Sequence, residues 1–433
     1  MTKAYQVAVI GAGPAGLYGA RELAEAGVNV TLFNRDIKPG GLAEYGIYPD
    51  KLTMKRGLRK QFQQILGTPN LQYYGNISIG ENADLSLSDL RALGFQAIFV
   101  ATGAQGTKWL GLDGENLTGV YHAKSVVYHY NHLPPFSQQD FRFGSRCLIV
   151  GAGNVMIDIA HFLIREAKVD EVTALVRRSP ADMKFNKKEL EYVAANLDLG
   201  LLDAEIDRVA ENMRAVNQDP DAAKEFLLSA LPKAAPKVSD TKFYFRFLTS
   251  PQAMRGEDGL LTHVDVEENL LILKDGETKP RGTGEIVPLE AETIIFAIGD
   301  KVDEDFGLLT EWSEFVKNES PRFPQNGLTY EVAGADDIFV AGWSRKASDG
   351  LVGYARKDGT HGAHAVQAYL EGLPKISSVQ GALETKLASL SKPIVTSDAA
   401  LHLYRIEKEE AEKRGVDEFK FDDNDAMLKA LNI

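Results

Sequence analysis

Two glycine-rich turns and a pair of arginines carry the chemistry that this sequence can do. The first turn is GAGPAG, residues 11–16, directly after the apolar, β-branched run YQVAVI at residues 5–10. In its G-x-G-x-x-G spacing each glycine has a physical role. Gly11 permits the tight turn, Gly13 lets a pyrophosphate approach the backbone, and Gly16 lets the next helix pack closely on the strand. That helix, expected over residues 17–26, would aim its free N–H groups and positive dipole end at the phosphates, with Ala15 inside the turn. Gly27 ends the helix, and VNVTLF at residues 28–33 supplies the second strand of a βαβ unit. Where an acid commonly meets the ribose hydroxyls the sequence has Asn34, which offers an oxygen without the charge.

RCLIVGAGNVMIDIA, residues 146–160, repeats the arrangement with Gly151 and Gly153. The third glycine position holds Met156, so this helix must sit further from its strand or shift register. Asn154 at the helix start is placed either to cap it or to meet a phosphate. The following strand, EVTALV at residues 171–176, ends in Arg177 and Arg178. An acid there would accept from a free ribose 2′-hydroxyl, whereas paired guanidiniums suit a 2′-phosphate, so the second site is expected to prefer NADP over NAD. The single cysteine, Cys147, and the absence of any C-x-x-C exclude a dithiol relay. Two nucleotide sites without a dithiol point to a flavoprotein with resident FAD, reduced by NADPH.

At 433 residues the chain is long enough for at least two cored domains. The expected class is α/β, with two Rossmann-like, three-layer nucleotide-binding domains, the NADP domain inserted into the FAD domain. Chain order suggests an FAD part over residues 1–108, an NADP domain over 109–323 closed by TIIFAIGD at 293–300, and a second FAD part with a C-terminal tail over 324–433. Residues 203–240 read as an insertion with one amphipathic helix. The net charge of -13 disfavours general nucleic-acid or membrane-surface binding. No apolar stretch reaches membrane-spanning length, and the N-terminus runs into a strand without a basic and apolar leader, so a soluble, cytoplasmic protein is expected. The eight histidines show no ligand spacing, and no metal is expected. Two segments are locally basic: Arg177, Arg178, Lys184, Lys187 and Lys188, and then Lys233, Lys237, Lys242, Arg246 and Arg255. They form either a solvated face or a surface that steers an acidic partner.

With these residues identified, the chain resembles the adrenodoxin reductase branch of the ferredoxin-NADP reductases over nearly its full length. The likeness rests on GAGPAG, PGGLAEYGIYPD (39–50), YYGNISIG (73–80), ATGAQ (101–105), GNVMIDIA, VRRSP, FNKKEL (185–190), FRFLTSP (245–251) and VAGWSRKASDGLVG (340–353). It implies hydride transfer from NADPH to FAD, then single-electron transfer to an acidic carrier, a ferredoxin or flavodoxin. It further implies FAD contacts at Ala15, Asn34, the backbone near Leu42, Ile79 against the adenine, and Trp343 with Gly350, Leu351 and Val352 along the flavin ring. Without the resemblance, Trp343 reads as a core aromatic. NADP would meet Asn154, Val155 and Met156 near its pyrophosphate, Arg177 and Arg178 at the 2′-phosphate, and Glu189 and Gly350 near the nicotinamide. Three positions depart from the family pattern: Asn34; Lys51, where a histidine is thought to work with the acid matching Glu189 in proton handling; and Lys346, Ala347, Ser348 and Asp349 in place of R-G-P-T. Glu189 and Lys51 are thus the candidate catalytic residues. The rival readings are a glutamate synthase small-subunit type of flavoprotein, whose cysteine-rich iron-sulfur region is absent here, and a flavin-binding regulatory protein without turnover.

Overall fold

The computed structural model describes residues 3–433, which divide into two units. The first takes the chain up to Thr107, Tyr128–Gln138 and Gly299–Ile433; the second takes Lys108–Val127 and Gln139–Ile298. In the first unit β1 (Gln6–Ile10), α1 (Pro14–Glu25) and β2 (Asn29–Asn34) form the expected βαβ motif. The helix starts at Pro14, earlier than residue 17, because the fixed proline φ suits a first helical position whose N–H needs no partner. Every residue of β1 is buried, as in a parallel strand covered on both faces. β1 sits inside a six-stranded sheet ordered Ile338–Val340, Ala97–Val100, β1, β2, Leu71–Gly75, Val395–Thr396, and only the last pairing is antiparallel. Alternate residues feed two apolar cores: Val7, Val9 and Phe99 on one face, Ala8, Ile10 and Ile98 on the other.

The second unit has β3 (Arg146–Val150), α2 (Asn154–Phe162) and β4 (Glu171–Val176) in a five-stranded, all-parallel sheet. Its order is Val120–His122, Thr293–Phe296, β3, β4, then β5 (Lys242–Phe247). Residues 203–240 fall within two helices and their flanks, Leu199–Ala215 and Pro220–Leu228, not one. A separate antiparallel sheet of β6 (Thr249–Glu257), β7 (Leu260–Lys274) and β8 (Glu277–Glu290) completes the unit.

The boundaries differ from those expected at 108/109 and 323/324 because packing places two segments with the first unit. Asp300–Lys301 pairs antiparallel with Gly106–Thr107, and Val302, Phe306 and Phe315 enter the same core as Ile10 and Ile98. Tyr128 and Leu133 pack on Tyr45. No helix among the described residues is long and apolar enough to cross a membrane.

Candidate functional site

At the first turn Gly11 has φ +99°, and a Cβ there would lie 2.5 Å from the Ala101 carbonyl oxygen; one on Gly16 would lie 1.9 Å from the Gly11 oxygen. Both glycines are demanded by packing. Gly13 is different: a Cβ there would meet nothing within 4 Å. This open position is the N-cap of α1, and no side chain caps the helix. By contrast, the helices beginning at Leu87, Leu199, Pro220, Ser397 and Asn424 are capped by Ser86, Asp198, Asp219, Thr396 and Asp423. The bare α1 N-terminus therefore leaves donors and a positive dipole end beside space that glycine keeps clear, which fits a pyrophosphate.

Asn34 is buried and already engaged. Its Oδ1 accepts the Ala12 N–H at 3.0 Å, and its Nδ2 donates to the Asp36 and Lys38 carbonyls at 2.8 and 3.0 Å. The amide thus braces the turn that it was expected to extend toward a ribose. Gly40 donates to the Ala12 carbonyl at 2.7 Å, which lays residues 38–42 across the turn and brings Leu42, the start of the Leu42–Tyr45 helix, beside it. Ile77 donates to the Asn34 carbonyl at 2.9 Å, so the segment bearing Ile79 follows the same carboxyl edge, with Ile79 itself packed in the core.

Trp343, half-buried, donates its indole N–H to the Asp349 carbonyl at 2.8 Å. A residue that the sequence reading missed anchors this segment: Asp358 is buried in the Val352–Leu370 helix, accepts the Gly342 N–H at 2.6 Å and pairs with Arg345 at 2.6 Å. Its signal was an Asp thirteen residues beyond an Arg, a spacing with meaning only once the helix folds back. A Cβ on Gly359 would strike the Ala15 oxygen at 2.1 Å, so that helix lies tight on α1 and delivers Gly350, Leu351 and Val352 to its N-terminal end. The Asp349 carboxylate is paired with Lys346 at 2.8 Å, which offsets the charge this departure introduces.

Beneath residues 38–45 lies a buried ionic cluster that the sequence reading also missed. Lys38 meets Glu407 at 2.6 Å and Glu44 at 3.2 Å; Arg59 meets Glu44 and Glu418, each at 2.6 Å. Lys55 meets Glu418 and Lys420 meets Glu44, both at 3.2 Å. Burial works against the Glu44 carboxylate, but Lys38, Lys420 and Arg59 outweigh it and hold its pKa well below the usual range. Burial draws the Lys420 ammonium down to about 7 against the attraction of Glu44.

In the second unit Gly151 is packed, with a Cβ only 2.6 Å from the Ala297 oxygen, while Gly153 is open, with nothing within 4 Å, and caps α2 without a side-chain hydrogen bond. Met156 is fully buried and Val155 is exposed at the helix start. Asn154 neither caps α2 nor stands free: its Oδ1 accepts the Asn186 N–H at 3.1 Å. Asn186 in turn caps the Lys187–Leu190 helix that carries Glu189. Arg177 is exposed and Arg178 half-exposed just beyond β4, and among the described residues neither has an ion-pair partner. Lys51, half-buried, is the N-cap residue of the Leu52–Leu66 helix in the first unit.

The two basic segments separate. Lys237, Arg246 and Arg255 are paired with Asp240, Glu268 and Asp265. Lys184, Lys187 and Lys188 are exposed, with no ion-pair partner among the described residues. No group of histidines, cysteines or acids among the described residues is arranged to hold a metal. Burial pushes the Cys147 thiol up to about 12, which leaves it inert as a nucleophile.

Two mainly parallel sheets, each with an uncapped, glycine-opened helix N-terminus after one of its interior strands, define a twin dinucleotide-binding fold. Residues 5–216 match the family described as pyridine nucleotide-disulphide oxidoreductase. It is 26% identical over 385 residues to NADPH-ferredoxin reductase FprA of Mycobacterium leprae (strain TN), covering 82% of this chain and 81% of that one. Identity is also 26% over 381 residues to the mitochondrial NADPH:adrenodoxin oxidoreductase of Arabidopsis thaliana, covering 80% and 78%. The structure of Mycobacterium tuberculosis FprA in complex with NADPH superimposes with a TM-score of 0.85 at 22% identity, covering all of both chains, which shows a shared fold.

Proposed function

We propose that this chain is an FAD-dependent NADPH oxidoreductase that delivers single electrons to an iron-sulfur carrier of the ferredoxin type, or to a flavodoxin. The observation that carries this reading is the pair of open turns at Gly13 and Gly153 together with Arg177 and Arg178 after the second. The names of the relatives, ferredoxin and adrenodoxin reductases, support it. When bound, FAD would supply the chemistry that converts a two-electron hydride donor into single electrons.

The residues of the chain bind and orient. Gly11, Gly13, Ala15 and Gly16 would receive the FAD pyrophosphate, and the Asn34 Oδ1 keeps a second lone pair for a ribose hydroxyl. Leu42, Ile79, Trp343 and the Gly350, Leu351 and Val352 backbone would line the remainder, with Trp343 fixed by its hydrogen bond to Asp349. Gly153, Val155 and Met156 would receive the NADP pyrophosphate. Asn154 would shape this site through the Asn186 backbone, which carries Glu189. Arg177 and Arg178 would take the 2′-phosphate, and Glu189, on the same unit, the nicotinamide end and the proton that accompanies hydride transfer. The cytoplasmic placement belongs to this proposal, and fractionation against the mitochondrial location that names the Arabidopsis thaliana relative checks it.

The two turns can be tested separately. Gly13→Ala is expected to yield folded protein without the flavin band, since its Cβ meets only the space assigned to the pyrophosphate. Gly153→Ala is expected to keep that band and lose its reduction by NADPH. Flavin retained in the first variant, or full NADPH reduction in the second, would remove the assignment. For the acidic carrier, Lys187→Gln with Lys188→Gln is expected to slow reduction of an acidic ferredoxin about threefold to tenfold at low ionic strength, with the difference gone near ~0.5 M salt. A deficit that salt does not erase would show that these lysines do not act by steering.

A further inference from the structure

The arginine turn is held by its backbone from outside the nucleotide-binding sheet. The Arg177 carbonyl accepts from Asn269 Nδ2 at 3.2 Å, and the Arg178 carbonyl accepts the Leu248 N–H at 3.1 Å. Asn269 in turn donates its own N–H to the Leu248 carbonyl at 2.7 Å and its Nδ2 to Ser250 Oγ at 2.8 Å. It is buried and lies in β7 where the register against β8 shifts, between Glu267 and Asn269. A backbone carbonyl only accepts, so the amide nitrogen must face Arg177. Leu248, between β5 and β6, adopts φ +49°, a strained conformation for a branched residue that persists only where its surroundings impose it. On the far side of the turn, Asp182 receives Thr278 Oγ1 from β8 at 3.2 Å and Gln218 Nε2 at 3.2 Å.

A guanidinium on a long, exposed side chain cannot be fixed by packing, so its aim depends on where the backbone points it. The added three-stranded sheet supplies that control. We propose that Asn269 is a positioning residue for nucleotide specificity, orienting Arg177 and Arg178 toward a 2′-phosphate through the Arg177 carbonyl. This rests on the assignment of those arginines to NADP and goes beyond it by assigning their control to a residue that touches no ligand.

The test is steady-state kinetics of the holoenzyme with ferricyanide as acceptor, for NADPH and NADH in parallel. Asn269→Ala is expected to raise the KM for NADPH about tenfold, with kcat and both NADH constants within about twofold. Asn269→Leu, which fills a similar volume without a donor, is expected to do the same and serves if the alanine variant does not fold. Equal losses for both nucleotides, or no change for NADPH, would overturn the proposal. The Arg177→Ala, Arg178→Ala double variant is measured alongside. If it too leaves NADPH unaffected, the 2′-phosphate assignment itself fails; if it alone shifts NADPH, only the positioning role fails.

Discussion

Replacing Arg177 and Arg178 together by alanine is expected to raise the KM for NADPH about a hundredfold to a thousandfold and to leave that for NADH nearly unchanged. Each charge-assisted hydrogen bond to a phosphate contributes about 1.5–3 kcal/mol, and at these exposed and half-exposed side chains the low end applies, so losing the two together removes roughly 3–4 kcal/mol of binding. The side chains are free to make these bonds because no acid pairs with either among the described residues. They also contribute nothing to a core, so the fold should survive their loss. Lysine at both positions would keep the charge and lose the planar fork, leaving a deficit of about tenfold. Steady-state kinetics with both nucleotides checks this, and a matching rise in the KM for NADH would show that the arginines serve the fold instead.

The second large effect is expected at Glu44, which meets Lys38, Lys420 and Arg59 within a buried cluster. Glu44→Gln keeps the shape and removes the charge that compensates these three cations. Breaking a buried pair from one side costs about 3–5 kcal/mol because the remaining charge stays desolvated. The same cluster lies under residues 38–45, so the variant should also release flavin more readily. For the unmodified protein the pH dependence follows from the sign of the shift. A carboxyl whose folded pKa is depressed stabilises the fold above its unfolded pKa, about 4.3, and this contribution fades as pH falls through the folded value. Denaturant unfolding of the two proteins should therefore differ most at neutral pH and converge on acidification. A Glu44→Gln variant as stable as its parent at pH 7 would contradict this.

The two βαβ motifs were legible because strand, glycine turn and helix are adjacent in sequence and each glycine answers a local steric demand. The place of Arg177 and Arg178 just beyond a strand was legible because EVTALV is rich in apolar and β-branched residues. What the sequence did not show was long-range: Asn34 also turns inward to the Ala12 N–H, and Asn154 is drawn to a loop over thirty residues on. Asp358, the Lys38 cluster and Asn269 depend on partners brought together by tertiary packing, for which no periodicity gives a sign. The boundary at Ile298 was likewise hidden, because the two-residue pairing of Asp300–Lys301 with Gly106–Thr107 is too short to leave a pattern.

The most direct test of hydride transfer is an anaerobic titration of the purified protein with NADPH and, separately, with NADH, following the flavin absorption band. Rapid bleaching by NADPH at near-stoichiometric amounts, with NADH effective only at far higher concentration, is the expected result. A protein without a flavin band, or a band that neither nucleotide bleaches, would contradict it.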